Sequence, residues 1–114
     1  MIISGLPTRL EGGSCFAEGR VEVQHEGSWG TLCDDEFDMK DANVVCKSLG
    51  YGSAISATKQ PYFGQGVDLG IVLDDMRCTG IENNLGYCAH NDFNDHNCDH
   101  SEDAGVICEP GILK

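Results

Sequence analysis

Seven cysteines, Cys15, Cys33, Cys46, Cys78, Cys88, Cys98 and Cys108, are spread along the whole chain with no C-x-x-C pair among them. That spacing lacks the paired ligands of a zinc ribbon or a thioredoxin-type redox motif, and it fits a disulfide framework formed in an oxidising compartment. A chain of 114 residues buries only a modest core, so cross-links supply much of its stability. Sequence alone does not say which cysteines pair, because the possible connectivities are many.

An oxidising compartment implies an extracellular protein, secreted or part of an ectodomain. The opening "MIISGLPTRL" has neither the charged start nor the long apolar stretch of a signal peptide, and no apolar run approaches the roughly 18 residues that cross a bilayer. The expectation is therefore a fragment of a larger extracellular protein, with no membrane insertion of its own. No Asn-x-Ser/Thr sequon occurs, so N-glycosylation is not expected.

Charge narrows the partners. Nineteen Asp and Glu against seven Lys and Arg give a net charge of −12, which argues against direct contact with nucleic acid or an anionic membrane surface. The imbalance is local as well: between Gly66 and Pro110 ten acidic residues face one base, Arg77. Carboxylates at that density repel one another unless solvated or neutralised by cations.

"GRVEVQ" alternates Arg20, Glu22 and Gln24 with Val21 and Val23, the period of a half-buried strand. "HEGS" then reads as the turn of a hairpin into "WGTLC", with Trp29 as a core anchor. "DMKDANVVCKSLGYG" has the pattern of a helix: Asp38 as N-cap, Asp41 three residues on, Gly50 as the stop, and Ala42, Val45, Cys46 and Leu49 on one face. "GIVL" reads as a short buried strand, "TGIENNLGYC" as a turn or short helix, and "AGVIC" as a closing strand. The glycine-rich "YFGQGVDLG" is a loop, without the flanking strand and helix of a phosphate cradle. The simplest assembly is one compact α+β domain with a single main helix.

The stretches "RLEGG", "EGRVEV", "GSWGTLCDD", "DANVVCKSLGYG", "FGQG", "LDDMRC", "HNC" and "SEDAGVIC", in this order, resemble the scavenger receptor cysteine-rich family. The resemblance covers about residues 8 to 108, and a domain over 8–109 with flanking tails at 1–7 and 110–114 is expected. It implies a curved antiparallel β-sheet cradling one main α-helix, with disulfides Cys33–Cys98, Cys46–Cys108 and Cys78–Cys88. The family's eight-cysteine group pairs a first cysteine, here Cys15, with a partner just after the helix, where this chain has Tyr51; the six-cysteine group lacks both. Cys15 is thus expected to be unpaired, or to link two molecules in an oligomer.

"HNCDHSEDAG" then gains a meaning. With Cys33 bridged to Cys98, their Cα atoms lie about 5.5 Å apart, and each residue adds at most about 3.5 Å of reach. Asp34, Asp35 and Asn97 are then neighbours, with Glu102 in range, and "LDDMRC" resembles the family segment that faces the same cluster. Carried over by motif, Asp34, Asp35 and Glu102 hold one cation, and Asp35, Asp74, Asp75 and Asn97 a second. Such hard oxygen donors suit Ca²⁺, or the smaller Mg²⁺. The plainer alternative is that these carboxylates only solvate the surface or cap turns. Zinc on His96, Cys98 and His100, or a Cys/His nucleophile, is disfavoured because a disulfide leaves Cys98 no thiolate. His90, His96 and His100 are expected at the surface.

The resemblance implies a non-catalytic extracellular recognition module whose partners are polyanionic ligands, microbial surface components or proteins. A chain this acidic reaches polyanions only through a bridging cation, since Arg9, Arg20 and Arg77 are too few for a basic patch. The competing readings are a cation-independent adhesion module and an accessory domain of a larger extracellular enzyme.

Overall fold

The computed structural model describes residues 6–59, 62–94, 96 and 98–110. Strand β1 (Thr8–Gly12) is followed by the hairpin of β2 (Glu18–His25) and β3 (Ser28–Leu32), then helix α1 (Met39–Ser48), and strands β4 (Ala54–Thr58), β5 (Gly70–Leu73) and β6 (Gly105–Cys108). Short 3₁₀ turns occupy Leu85–Tyr87 and His100–Glu102. The sheet runs β4-β6-β2-β3-β5, with β1 also paired to β2. All pairings are antiparallel except β3 with β5, which is parallel. An α+β fold, a mostly antiparallel curled sheet holding one helix, agrees with the sequence reading.

The β2–β3 hairpin forms where the pattern expects it. Its two turn residues, Glu26 and Gly27, have φ of 52° and 83°, the left-handed pair of a type I′ turn whose twist matches the strands it joins. Gly30 is fixed by close approach rather than by φ: a Cβ there would lie 2.1 Å from Val72 Cγ2, so β3 and β5 meet only across a glycine.

That glycine also explains why Trp29 is not the core anchor. Side chains alternate along a strand, and Leu32 and Gly30 face the core, so Trp29 and Thr31 point to the opposite face. There Trp29 is half-buried, with the Arg9 guanidinium 4.1 Å from its ring centroid, a cation–π contact. Glu22 shares this face and is only 1% exposed. Arg9 Nε donates to its Oε1 at 2.7 Å and Arg20 Nε to its Oε2 at 2.9 Å, which compensates the buried charge. The alternation in "GRVEVQ" therefore separates two buried faces at this point, rather than core from water.

Val21, Val23, Leu32, Leu73 and Val106 from the sheet close on Ala42, Val44, Val45 and Cys46 of α1, with Phe37, Met76 and Leu85 filling the ends. Asp38 caps the helix as expected, accepting from the amides of Lys40 and Asp41, while the Asp41 carboxylate accepts from the Asp38 amide at 2.8 Å. Asp41 reaches further than a cap, since its other oxygen accepts from the Cys78 amide at 2.9 Å and pins the disulfide loop to the helix.

Burial pushes the Asp41 carboxyl up to about 6. Its folded pKa thus lies above the unfolded value, so ionisation favours unfolding, and the penalty fades as pH falls from about 7 toward 4. Compared with the non-titrating Asp41→Asn, wild type is expected to gain urea stability between pH 7.5 and pH 4.5. A difference that stays flat or reverses over that range contradicts the assignment.

Candidate functional site

The acidic cluster is assembled by the end of β3, the end of β5 and the turn around His100. Cys33, directly after β3, donates its amide to Leu73 O at 2.9 Å and bridges to Cys98 with a Cα–Cα distance of 6.2 Å. The next amide, Asp34 N, donates to Glu102 O at 2.7 Å, so backbone pairing brings residues 34 and 102 together. Lys59 Nζ donates to Asp34 O at 2.9 Å, a cation that no motif near residue 59 would place there.

Carboxylate oxygens of Asp34, Asp35 and Glu102 lie within 4.8 Å of one another, and those of Asp35 and Asp74 meet within the same distance. Asp35 Oδ2 is 3.5 Å from Cys98 Sγ, a van der Waals contact with the disulfide. Asp34 and Asp74 are 8% and 2% exposed, so much of this charge sits away from bulk water. Like charges gathered this closely repel one another unless a cation or solvent neutralises them. The spacing fits a cation: with Ca²⁺–O distances of about 2.3–2.6 Å, oxygens on opposite sides of one ion stand roughly 5 Å apart.

The other expected ligands divide. Asp74 follows β5, and its Oδ1 accepts from the Asp75 amide at 2.7 Å. Asp75 sits at φ 54° with its Oδ2 accepting from Asn91 Nδ2 at 3.1 Å, and among the described residues it is not in the carboxylate groupings that converge within 4.8 Å. Asn97 lies outside the described residues.

The remaining polar groups of "HNCDHSEDAG" have structural tasks. Asp99 caps the 3₁₀ turn through the Ser101 hydroxyl and amide, which hold its carboxyl below the usual range. Asp103, 2% exposed, accepts from the Gly66 amide at 2.8 Å and faces His100 Nδ1 at 3.0 Å. His100 Nε2 is 2.7 Å from Leu69 O, so this histidine is an internal tie and not the surface residue expected; His96 is exposed and His90 half-buried. With Cys98 in a disulfide and both nitrogens of His100 engaged, His96, Cys98 and His100 do not form a zinc site or a nucleophile pair.

Cys46–Cys108 and Cys78–Cys88 complete the cross-links, with Cα–Cα distances of 5.7 and 4.7 Å. Cys15 is exposed and free. Tyr51 lies close by, its hydroxyl donating to Phe16 O at 2.9 Å. The arginines form no patch: Arg9 and Arg20 hold Glu22, while Arg77 donates to Asp75 O at 2.8 Å.

A family model described as "Scavenger receptor cysteine-rich domain" matches residues 11–109. A scavenger receptor cysteine-rich domain superfamily protein of Patiria pectinifera is 53% identical over 100 residues, which is 88% of this chain and 9% of that protein. The chain thus spans a small fraction of that relative's length. Among solved structures, the third such domain of murine neurotrypsin is 49% identical with a TM-score of 0.85, covering 96% of this chain and all of that one. The dimeric form of the domain from mouse MARCO is 38% identical, with a TM-score of 0.74 and coverage of 96% and 93%.

Proposed function

The chain belongs to the scavenger receptor cysteine-rich family, and from that membership we propose that it is a non-catalytic extracellular recognition module that holds its ligands through bound Ca²⁺. The observation that supports the cation is the convergence of Asp34, Asp35 and Glu102, with Asp74 reached through Asp35. Asp35 belongs to both sets, and the Cys33–Cys98 bridge fixes it between them. When bound, Ca²⁺ supplies open coordination positions for sulfate, phosphate or carboxylate oxygens. The ligand classes that fit are polyanionic or microbial surface components and extracellular proteins, with nucleic acid and anionic membrane repelled by a charge of −12. No helix among the described residues is long and apolar enough to cross a membrane. The exposed Cys15 thiol is available for a covalent link to a second molecule.

Calorimetric titration of Ca²⁺, with Mg²⁺ and Zn²⁺ as comparisons, tests the reading. We expect Ca²⁺ binding at about 10⁻⁴ to 10⁻³ M, the range of extracellular modules, with Mg²⁺ weaker and Zn²⁺ without a specific site. No Ca²⁺ heat from the folded chain removes the mechanism. Heparin binding that persists in EDTA with the fold intact assigns recognition to a cation-independent surface instead.

A further inference from the structure

Beside the acidic cluster the surface opens into a cavity of about 470 Å³, walled by residues 36–39 on one side and by residues 55–57 with Lys59 on the other. Helix α1 packs against β4, and at the start of the strand the Ala54 amide donates to Asn43 Oδ1 at 2.7 Å. From Ile55 onward β4 is the terminal strand of the sheet path, and no described strand pairs with that edge. The buried Phe37 lines the cavity, and two large apolar side chains beside it meet water, Ile55 at 58% and Met39 at 42% exposed.

Among the described lining residues acids outnumber bases, Glu36 and Asp38 against Lys59. The loop forming its first wall reads "DDEFD" over residues 34–38; Glu36 and Asp38 line the groove, while Asp34 and Asp35 belong to the acidic cluster beside it. Across the groove the one base lining it, Lys59, donates from Nζ to Asp34 O. A polyanion is repelled from this surface, whereas a basic segment is attracted both locally and by the net charge of −12.

We infer that the groove between α1 and β4 docks an extended, basic polypeptide segment, with an apolar side chain in the cavity and Lys or Arg against Glu36 and Asp38. An open strand edge offers backbone amides and carbonyls to an added strand, and side chains alternating along that strand put apolar groups inward and basic groups toward the rim. The cavity is in the size range of small-ligand pockets, roughly 300–1,000 Å³. This contact needs no metal and is separate from the cation-bridged one.

The test uses a short fluorescein-labelled peptide of alternating Lys and Leu, compared with Lys/Ser and Glu/Leu peptides of equal length, added in EDTA to the oxidised chain. Anisotropy reports affinity and amide NMR shifts report location. The Lys/Leu peptide is expected to bind roughly tenfold or more tightly than Lys/Ser, as burial of apolar side chains requires, with Glu/Leu not binding. Shifts should fall on residues 36–39 and 55–59. Ile55→Ser, at an exposed position, should weaken the Lys/Leu peptide about fivefold and leave the Ca²⁺ titration unchanged. Equal affinity for the Lys/Leu and Lys/Ser peptides, or shifts confined to another face, overturns the groove. Loss of Ca²⁺ binding in wild type would leave it untouched.

Discussion

Replacing Cys46 and Cys108 together by alanine is expected to lower the folding free energy by about 4 kcal/mol, the chain-entropy value for a loop of this length. The bridge joins α1 to β6 across a sequence separation of 62, and both cysteines lie in the core. A loss that size is a large part of the 5–15 kcal/mol typical of a domain, so the variant should unfold at far lower urea. Removing Cys78–Cys88, which spans a separation of only 10, should cost less, about 3 kcal/mol or under. Urea titration of both double variants ranks the two bridges. A Cys46/Cys108 variant within about 1 kcal/mol of wild type would show that the core alone holds the helix to the sheet.

Asp35→Ala should abolish Ca²⁺ binding while leaving the cation-free protein folded. Asp35 is common to both carboxylate groupings, so one truncation disables each of them. In EDTA the variant loses a like charge from a crowded cluster, and its stability is expected to equal or exceed that of wild type. In Ca²⁺ at a hundredfold excess over Kd, wild type gains about 2.7 kcal/mol from linkage and the variant gains none. Glu102→Ala, which touches one set only, should retain weaker binding at the Asp35 and Asp74 side. The same Ca²⁺-induced stabilisation in Asp35→Ala and wild type would refute this site. Thermal or urea unfolding with and without the ion distinguishes these outcomes.

Local grammar carried much of the fold. The Glu26–Gly27 turn and the Asp38 cap depend on residues close in sequence, so hairpin and helix were readable from it. β1 and β4, "TRLEG" and "AISAT", show no clear alternation, because each exposes residues on both sides and owes its place to distant partners. The Trp29 expectation failed because parity along β3 is set by Gly30 meeting Val72, a contact with no signature near residue 29. At the site, the proximity of Asp34, Asp35 and Glu102 followed once the disulfide pairing implied by the family was granted. What did not follow was which partners, many of them distant in sequence, each acidic residue would find. Asp75 turns to Asn91, Asp103 to Gly66 and His100, and Lys59 arrives 25 positions away from Asp34.

The parallel pairing of β3 with β5 has a consequence for how the acidic residues come together. Strands that run the same way release their outgoing chains at one common rim, so the acids following each strand emerge as neighbours without any long side chain having to search for its mate. An antiparallel β5 would have sent Asp74 to the far end of the sheet, some four residues' rise away. The arrangement is therefore sensitive to length more than to composition: one residue inserted within β5 would turn Asp74 to the other side of the sheet and scatter the cluster with every carboxylate still present.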